Sequence, residues 1–136
     1  MAYPYPIDSD IEKLNICTDL HNWKSEMTYH DLENQFYLKL FSSELIKKAG
    51  ISAVNVELLH RELMILDDEK ENLTFDLGKT LLELEKISDE EALSWPESFL
   101  LNYQKLKVEL QNYSFRNRKL KVLVYTYLSQ GMKKFL

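Results

Sequence analysis

Five polar residues occupy positions where the spacing of the chain predicts core residues. A His, a Lys and two amides that face one another could bind an ion or a small ligand, because helical bundles build their sites from inward-facing side chains. The same residues could instead form a buried polar layer that fixes helix pairing, as one buried Asn does in a coiled coil. We expect the polar layer and keep the pocket as the alternative. The five residues are His30, Asn34, Lys70, Tyr113 and Asn117.

A carboxylate-bridged metal pair is the enzyme site most typical of a helical bundle. Such a site needs Glu-x-x-His on two helices and a Glu on each of two others. The chain has one match, Glu57 to His60, and a looser pair, Glu26 and His30. In an antiparallel bundle His60 and His30 stand roughly 16 Å apart along the axis. We therefore predict no metal site and no cofactor.

Other catalytic patterns are weaker still. Cys17 precedes His21 by one helical turn, but no third group is placed to orient the imidazole. The three glycines form no phosphate-binding loop, and no Gly-x-Ser-x-Gly turn occurs. We predict that the chain is not an enzyme. Its one cysteine cannot form an intramolecular disulfide and fits a reducing cytoplasm.

These candidates lie within three long segments whose apolar residues alternate at spacings of three and four. That spacing is typical of helices that pack along a narrow stripe, here called the seam. The segments predict helices at 9–49, 52–87 and 95–131. The three seams are Ile16, Leu20, Trp23, Met27, His30, Asn34, Tyr37 and Phe41; Leu59, Leu63, Leu66, Lys70, Leu73, Leu77, Thr80, Leu84 and Ile87; and Phe99, Tyr103, Leu106, Leu110, Tyr113, Asn117, Leu120, Val124 and Tyr127.

The ends of the predicted helices carry recognisable signals. Ser9 and Glu12 form a capping box, and Gly50 follows two lysines where a left-handed cap is expected. The connections are short, so consecutive helices must run antiparallel. The sequence thus predicts an all-α fold, an elongated antiparallel three-helix bundle with coiled-coil-like heptads. A break in the first helix near Thr28 would give a four-helix bundle instead.

The antiparallel arrangement also predicts a register. Position i on the first helix should face position 101 − i on the second, and position j on the second should face 182 − j on the third. This register puts the five polar seam residues at one level, midway along the bundle. Residues 1–8 are predicted to be an extended arm and residues 9–136 a single domain.

Charge is distributed unevenly along the chain, whose net charge is −5. Eight of the 17 Lys and Arg residues follow residue 104, where Glu109 is the only acid. Pairing with the acidic helices of the same bundle explains this better than nucleic-acid binding, because an acidic protein repels phosphates at long range. Nucleic-acid binding through the last helix remains a second alternative. No apolar run approaches the roughly 20 residues of a membrane helix, so no membrane partner is expected.

The last helix contains a stretch with no polar face, residues 122–128. It could fill a thicker core, or it could contact another protein, because large apolar surfaces on proteins usually mark association. The leading prediction is a non-enzymatic, cytoplasmic bundle protein acting through protein–protein contact or self-association, for example as a homodimer. A ligand-binding or metal-binding bundle is the alternative. The candidate interface residues are Val122, Val124, Tyr125, Tyr127 and Leu128.

Overall fold

The computed structural model of the chain describes residues 8–48, 50–87 and 95–132. Over these residues it contains four helices and no strand: α1 at Asp8–Phe41, α2 at Glu44–Lys48, α3 at Ala53–Lys86 and α4 at Glu97–Met132. The predicted all-α bundle is therefore confirmed. In the described parts of the chain, no helix combines the length and the apolar character needed to cross a membrane. The predicted N-terminal arm lies outside the described residues, except for Asp8.

The caps of α3 follow from local sequence. Ser52 is extended, and its hydroxyl accepts a hydrogen bond from the backbone N–H of Asn55 at 3.2 Å. This bond satisfies one of the backbone donors that the first turn of a helix leaves open. Before it, Gly50 has a φ of 72°, the left-handed conformation predicted from its place after two lysines. The side chains of the predicted capping box at Ser9 lie partly outside the described residues.

The first helix differs from its predicted bounds of 9–49. It runs unbroken past Thr28 but stops at Phe41, and the short helix α2 follows. At the break, the hydroxyls of Ser42 and Ser43 donate hydrogen bonds to the backbone carbonyls of Leu38 and Leu40, at 2.9 and 2.6 Å. Serine competes with the helical backbone in this way. The resulting bend lets Ile46 of α2, which is 2% exposed, cover the end of the core.

Contacts between the long helices define their directions. Lys70 of α3 reaches Asp31 of α1, and Gln35 of α1 reaches Asp67 of α3, as the predicted antiparallel register requires. Arg116 of α4 pairs with Glu69 of α3, which is about one turn away from the predicted match. Helices α1 and α4 consequently run parallel, and bonded residues such as Asn34 and Asn117 are 83 positions apart.

The core follows the three seams. Every seam residue from Ile16 to Tyr127 is buried or half-buried, and Leu20 and Leu63 are fully enclosed. Complete burial of one such Leu stabilises the fold by about 1.5–3 kcal/mol. Helices α1 and α4 approach each other less closely than either approaches α3. Aromatic rings fill the wider gap, including Trp23 stacked on Tyr103 with centroids 5.3 Å apart.

Candidate functional site

Two of the predicted polar seam residues meet in the middle of the bundle. The Asn34 side-chain amide donates to the side-chain oxygen of Asn117 at 2.7 Å, and both residues are buried. The amide of Asn117 in turn donates to the backbone carbonyl of Tyr113 at 2.8 Å. This pair links α1 to α4 at one fixed register, which is the effect expected of a buried polar layer.

His30 and Tyr113 lie one turn from that pair. Their rings meet edge to face, with centroids 5.8 Å apart and planes at 83°. Nε2 of His30 and the hydroxyl of Tyr113 are buried without a hydrogen-bond partner among the described residues. The nearest carboxylate to Nε2, that of Glu26, is 3.8 Å away, too far for a hydrogen bond. Burial lowers the pKa of His30 below its usual 6.5 and raises that of Tyr113.

The side chain of Lys70 points out of the polar layer, although its backbone lies on the seam. Its ammonium group contacts Asp31 at 3.0 Å and Asp67 at 3.2 Å, on the surface between α1 and α3. Burial disfavours its charge, but the hydrogen bonds to the two carboxylates outweigh burial and hold the pKa of Lys70 above its usual value. An aliphatic stem that carries the charge outward is typical of Lys at such positions. The five predicted residues therefore share a level without converging on one pocket.

Lys70 does line a groove of about 410 Å³ between α1 and α3. Gly78 also lines this groove, and a methyl group added at its Cα would meet nothing within 4 Å. The glycine thus provides no close approach between helices. The groove combines the Lys70 ammonium, which is paired with Asp31, and Lys24 with apolar walls from Met27, Leu77 and Leu81.

The residues considered for metal binding are dispersed. His60 is exposed, and Glu57 pairs with Arg61 at 3.5 Å. Cys17 is a half-buried free thiol. Across residues 8–48, 50–87 and 95–132, no three His, Cys, Asp or Glu side chains lie close enough to hold one metal ion.

A row of acids on α1 was missed from sequence. These acids recur every seven residues beside the seam; three of them contact donors on α4, and Glu12 contacts Trp95 two residues before α4 begins. The spacing of seven residues between these acids was the signal in the sequence that could have revealed the row. It also accounts for part of the basic character of α4, since Lys121 pairs with Glu33 at 3.0 Å. The pairs are Glu12 with Trp95, Asp19 with Tyr103, Glu26 with Ser114, and Glu33 with Lys121.

The candidate interface residues fall on different faces of α4. Val124 is fully buried, and Tyr127 and Leu128 are half-buried against the core. Val122 and Tyr125 are exposed. Residues 122–128 thus contribute both to the core and to the surface. Of the five candidate residues, Val122 and Tyr125 offer substantial apolar area to a partner.

The exposed apolar surface of α4 extends well beyond residues 122–128. Four large apolar side chains recur every seven residues at the helical position farthest from the seam, and each is 53–64% exposed. Because a helix makes nearly two full turns in seven residues, these side chains form one line facing away from the core. We call this line the outer stripe; it consists of Leu101, Val108, Phe115 and Val122.

Comparisons with protein-family models, curated proteins and solved structures found no match to this chain. His30, Asn34, Tyr113 and Asn117 are buried in the core, whereas the outer stripe presents apolar side chains to solvent. The outer stripe is the stronger candidate for a functional surface.

Proposed function

We propose that this chain is a non-enzymatic helical-bundle protein that acts through protein–protein contact, with the outer stripe of α4 as its contact surface. The observation that carries the proposal is the alignment of four exposed apolar residues along one helix face. Scattered exposed apolar residues are normal on protein surfaces. A regular row of large exposed apolar side chains on one helix face is less common, and exposed apolar surface of this kind often marks an interaction site.

The inward face of α4 does not need the outer stripe for folding. Leu106, Leu110, Leu120 and Val124 already fill the core from this helix, each at most 5% exposed. The side chains of the outer stripe are more than half exposed, so their burial contributes little to the stability of the monomer. Covering them would remove apolar area from water, at about 25 cal/mol per Å².

Two kinds of partner fit a protein-binding bundle. One is a second copy of this chain, which would give a homodimer through the half of α4 that carries Val122 and Tyr125. The other is a different protein. The free thiol of Cys17 fits a reducing compartment such as the cytoplasm for either assembly.

Site-specific photo-cross-linking in cells tests the proposal. A photoreactive benzoylphenylalanine replaces Phe115 in one variant and Phe75 of α3, an even more exposed aromatic residue, in the control. We expect one discrete adduct from position 115, lost when Val108 and Val122 are changed to Gln, and none from position 75. Mass spectrometry distinguishes an adduct of two identical chains from one with another protein. Absence of an adduct at 115, or the same adducts from both positions, would refute the proposal.

A further inference from the structure

The outer stripe is narrow. The polar residues that separate and flank its four apolar side chains are Gln104, Lys105, Gln111, Asn112, Arg118 and Lys119, all exposed. A helix that lies in a membrane interface presents a broad apolar face. A coiled-coil seam has two apolar positions in every seven residues, and the outer stripe supplies one of them, so it fits a narrow contact with one helix lying alongside rather than a broad face.

The C-terminal half of the outer stripe forms a shallow trough. It is lined by Phe115, Val122 and Leu123 together with the cations Arg118 and Lys119. The ammonium group of Lys119 lies 4.9 Å from the centroid of the Phe115 ring. An apolar anchor bordered by charged groups is the arrangement that concentrates binding energy in helix-in-groove recognition.

The charges around the outer stripe are of one sign. Between residues 101 and 122 the outward-facing polar positions carry Lys105, Arg118 and Lys119 and no acid. Glu109 lies to the side of α3, half-buried, with its carboxylate 3.8 Å from Lys105. A partner that covers the stripe therefore meets Arg118 and Lys119 directly, whereas the charge of Lys105 is partly offset by Glu109.

This charge pattern disfavours pairing of α4 with α4 of a second copy. In a parallel pair Lys105 would face Lys105 of the other copy, and in an antiparallel pair it would face Arg118 and Lys119. Like charges set against each other across an interface select against that partner. Acidic residues at the same positions would instead be attracted.

We propose, building on the protein-binding function above, that the outer stripe of α4 is the docking site for one acidic amphipathic helix of a partner protein. Apolar side chains of that helix, spaced by seven residues, pack between Leu101, Val108, Phe115 and Val122. Its Glu or Asp residues pair with Lys105, Arg118 and Lys119.

Designed peptides test this occupant with the full chain. The probe is a fluorescent helical peptide of about four heptads with Leu along one seam and Glu at the flanking positions. A matched peptide carries Lys in place of Glu. Fluorescence anisotropy should show binding of the Glu peptide only, weakening steeply with added salt.

Paired substitutions locate the binding. Phe115→Gln with Val122→Gln should weaken binding of the Glu peptide at least about tenfold, a loss typical of removing apolar anchors from an interface. Phe75→Gln with Leu82→Gln, at comparably exposed positions of α3, should leave it unchanged. Circular dichroism on both double variants confirms that the helices remain folded.

The contrary outcomes are distinct. Equal binding of the two peptides, no binding of either, or equal weakening by both double variants would overturn the acidic helix as the occupant. A dimer seen by light scattering that the α4 variant alone abolishes would replace it with a second copy and leave the proposed function standing. Binding of anionic phosphatidylserine vesicles, but of neither peptide, would overturn both proposals.

Discussion

The side-chain amide of Asn34 donates a 2.7 Å hydrogen bond to the side-chain oxygen of Asn117, between two parallel helices and at no more than 6% exposure of either residue. The bond satisfies a donor of Asn34 and the acceptor of Asn117 in a place where water has little access, and the amide nitrogen of Asn117 donates to the Tyr113 carbonyl. Leu has the same branched skeleton as Asn but no polar atoms, so substitution can separate the effect of the bond from that of packing.

Asn117→Leu alone should lower the free energy of unfolding by about 1–3 kcal/mol, because it leaves the buried amide of Asn34 without its partner. The double variant Asn34→Leu with Asn117→Leu should recover most of that loss, since replacing both members of a buried polar pair is often neutral. Urea unfolding of the wild type, both single variants and the double variant measures the coupling. Additive losses would show that the bond does not join these residues.

The seams were predictable because burial imposes a regular spacing on a long helix. Leu63, Leu110 and the amides of Asn34 and Asn117 all lie where the alternation of three and four placed them. The antiparallel register followed from the short connections alone. It was accurate for α1 and α3 and shifted by about one turn for α3 and α4.

Other features depend on side-chain direction, which spacing does not specify. Lys70 is on the seam, yet its ammonium group turns toward Asp31 and Asp67. The break after Phe41 depends on two serine hydroxyls bonding to backbone carbonyls, although the seam spacing continues to that point. Of the outer stripe only Val122 was predicted, because Leu101, Val108 and Phe115 lie outside both the seam and the apolar run near the end of α4.

His30 should make stability depend on pH. Burial lowers the pKa of His30, and the carboxylates of Glu26 and Glu33 oppose this without reversing it. The unfolded chain therefore binds a proton on this residue more readily than the folded one. The contribution of neutral His30 is fully present above about pH 6.5 and is lost as the pH falls below that value.

Comparison of variants isolates this contribution. Between about pH 7.5 and pH 5.5, the wild type should lose more free energy of unfolding than His30→Gln does. His60→Gln, which changes an exposed histidine, should follow the wild type. Equal losses in all three proteins would show that His30 does not titrate differently on folding.

Gly78→Ala should stabilise the protein. The glycine lies within α3, and an added Cβ meets nothing within 4 Å, so the substitution causes no clash. Alanine is favoured over glycine inside a helix by about 0.5–1 kcal/mol, chiefly because glycine gives up more backbone freedom on folding. Thermal unfolding followed by circular dichroism measures the gain. A lower melting temperature would mean that the backbone at Gly78 needs a conformation that alanine cannot adopt.

The acids of α1 that contact α4 should differ in their effect on stability according to burial. Tyr103 is 7% exposed, and its hydroxyl donates to the carboxylate of Asp19. Tyr103→Phe keeps the stack on Trp23 and removes only this bond, so we expect a loss of about 1–2 kcal/mol in the free energy of unfolding.

Lys121→Met breaks the equivalent contact at Glu33, but there the ammonium group is well exposed to solvent. Its effect should be small and should disappear at high salt, because water and ions already screen such a pair. The loss in Tyr103→Phe should persist at the same salt concentration, since a bond beside the core is screened much less. Urea unfolding of both variants at low and high salt compares the two contacts directly. Equal salt sensitivity would mean that the Tyr103 bond is as open to solvent as the Lys121 pair, and that the acids of α1 hold α4 by surface attraction alone.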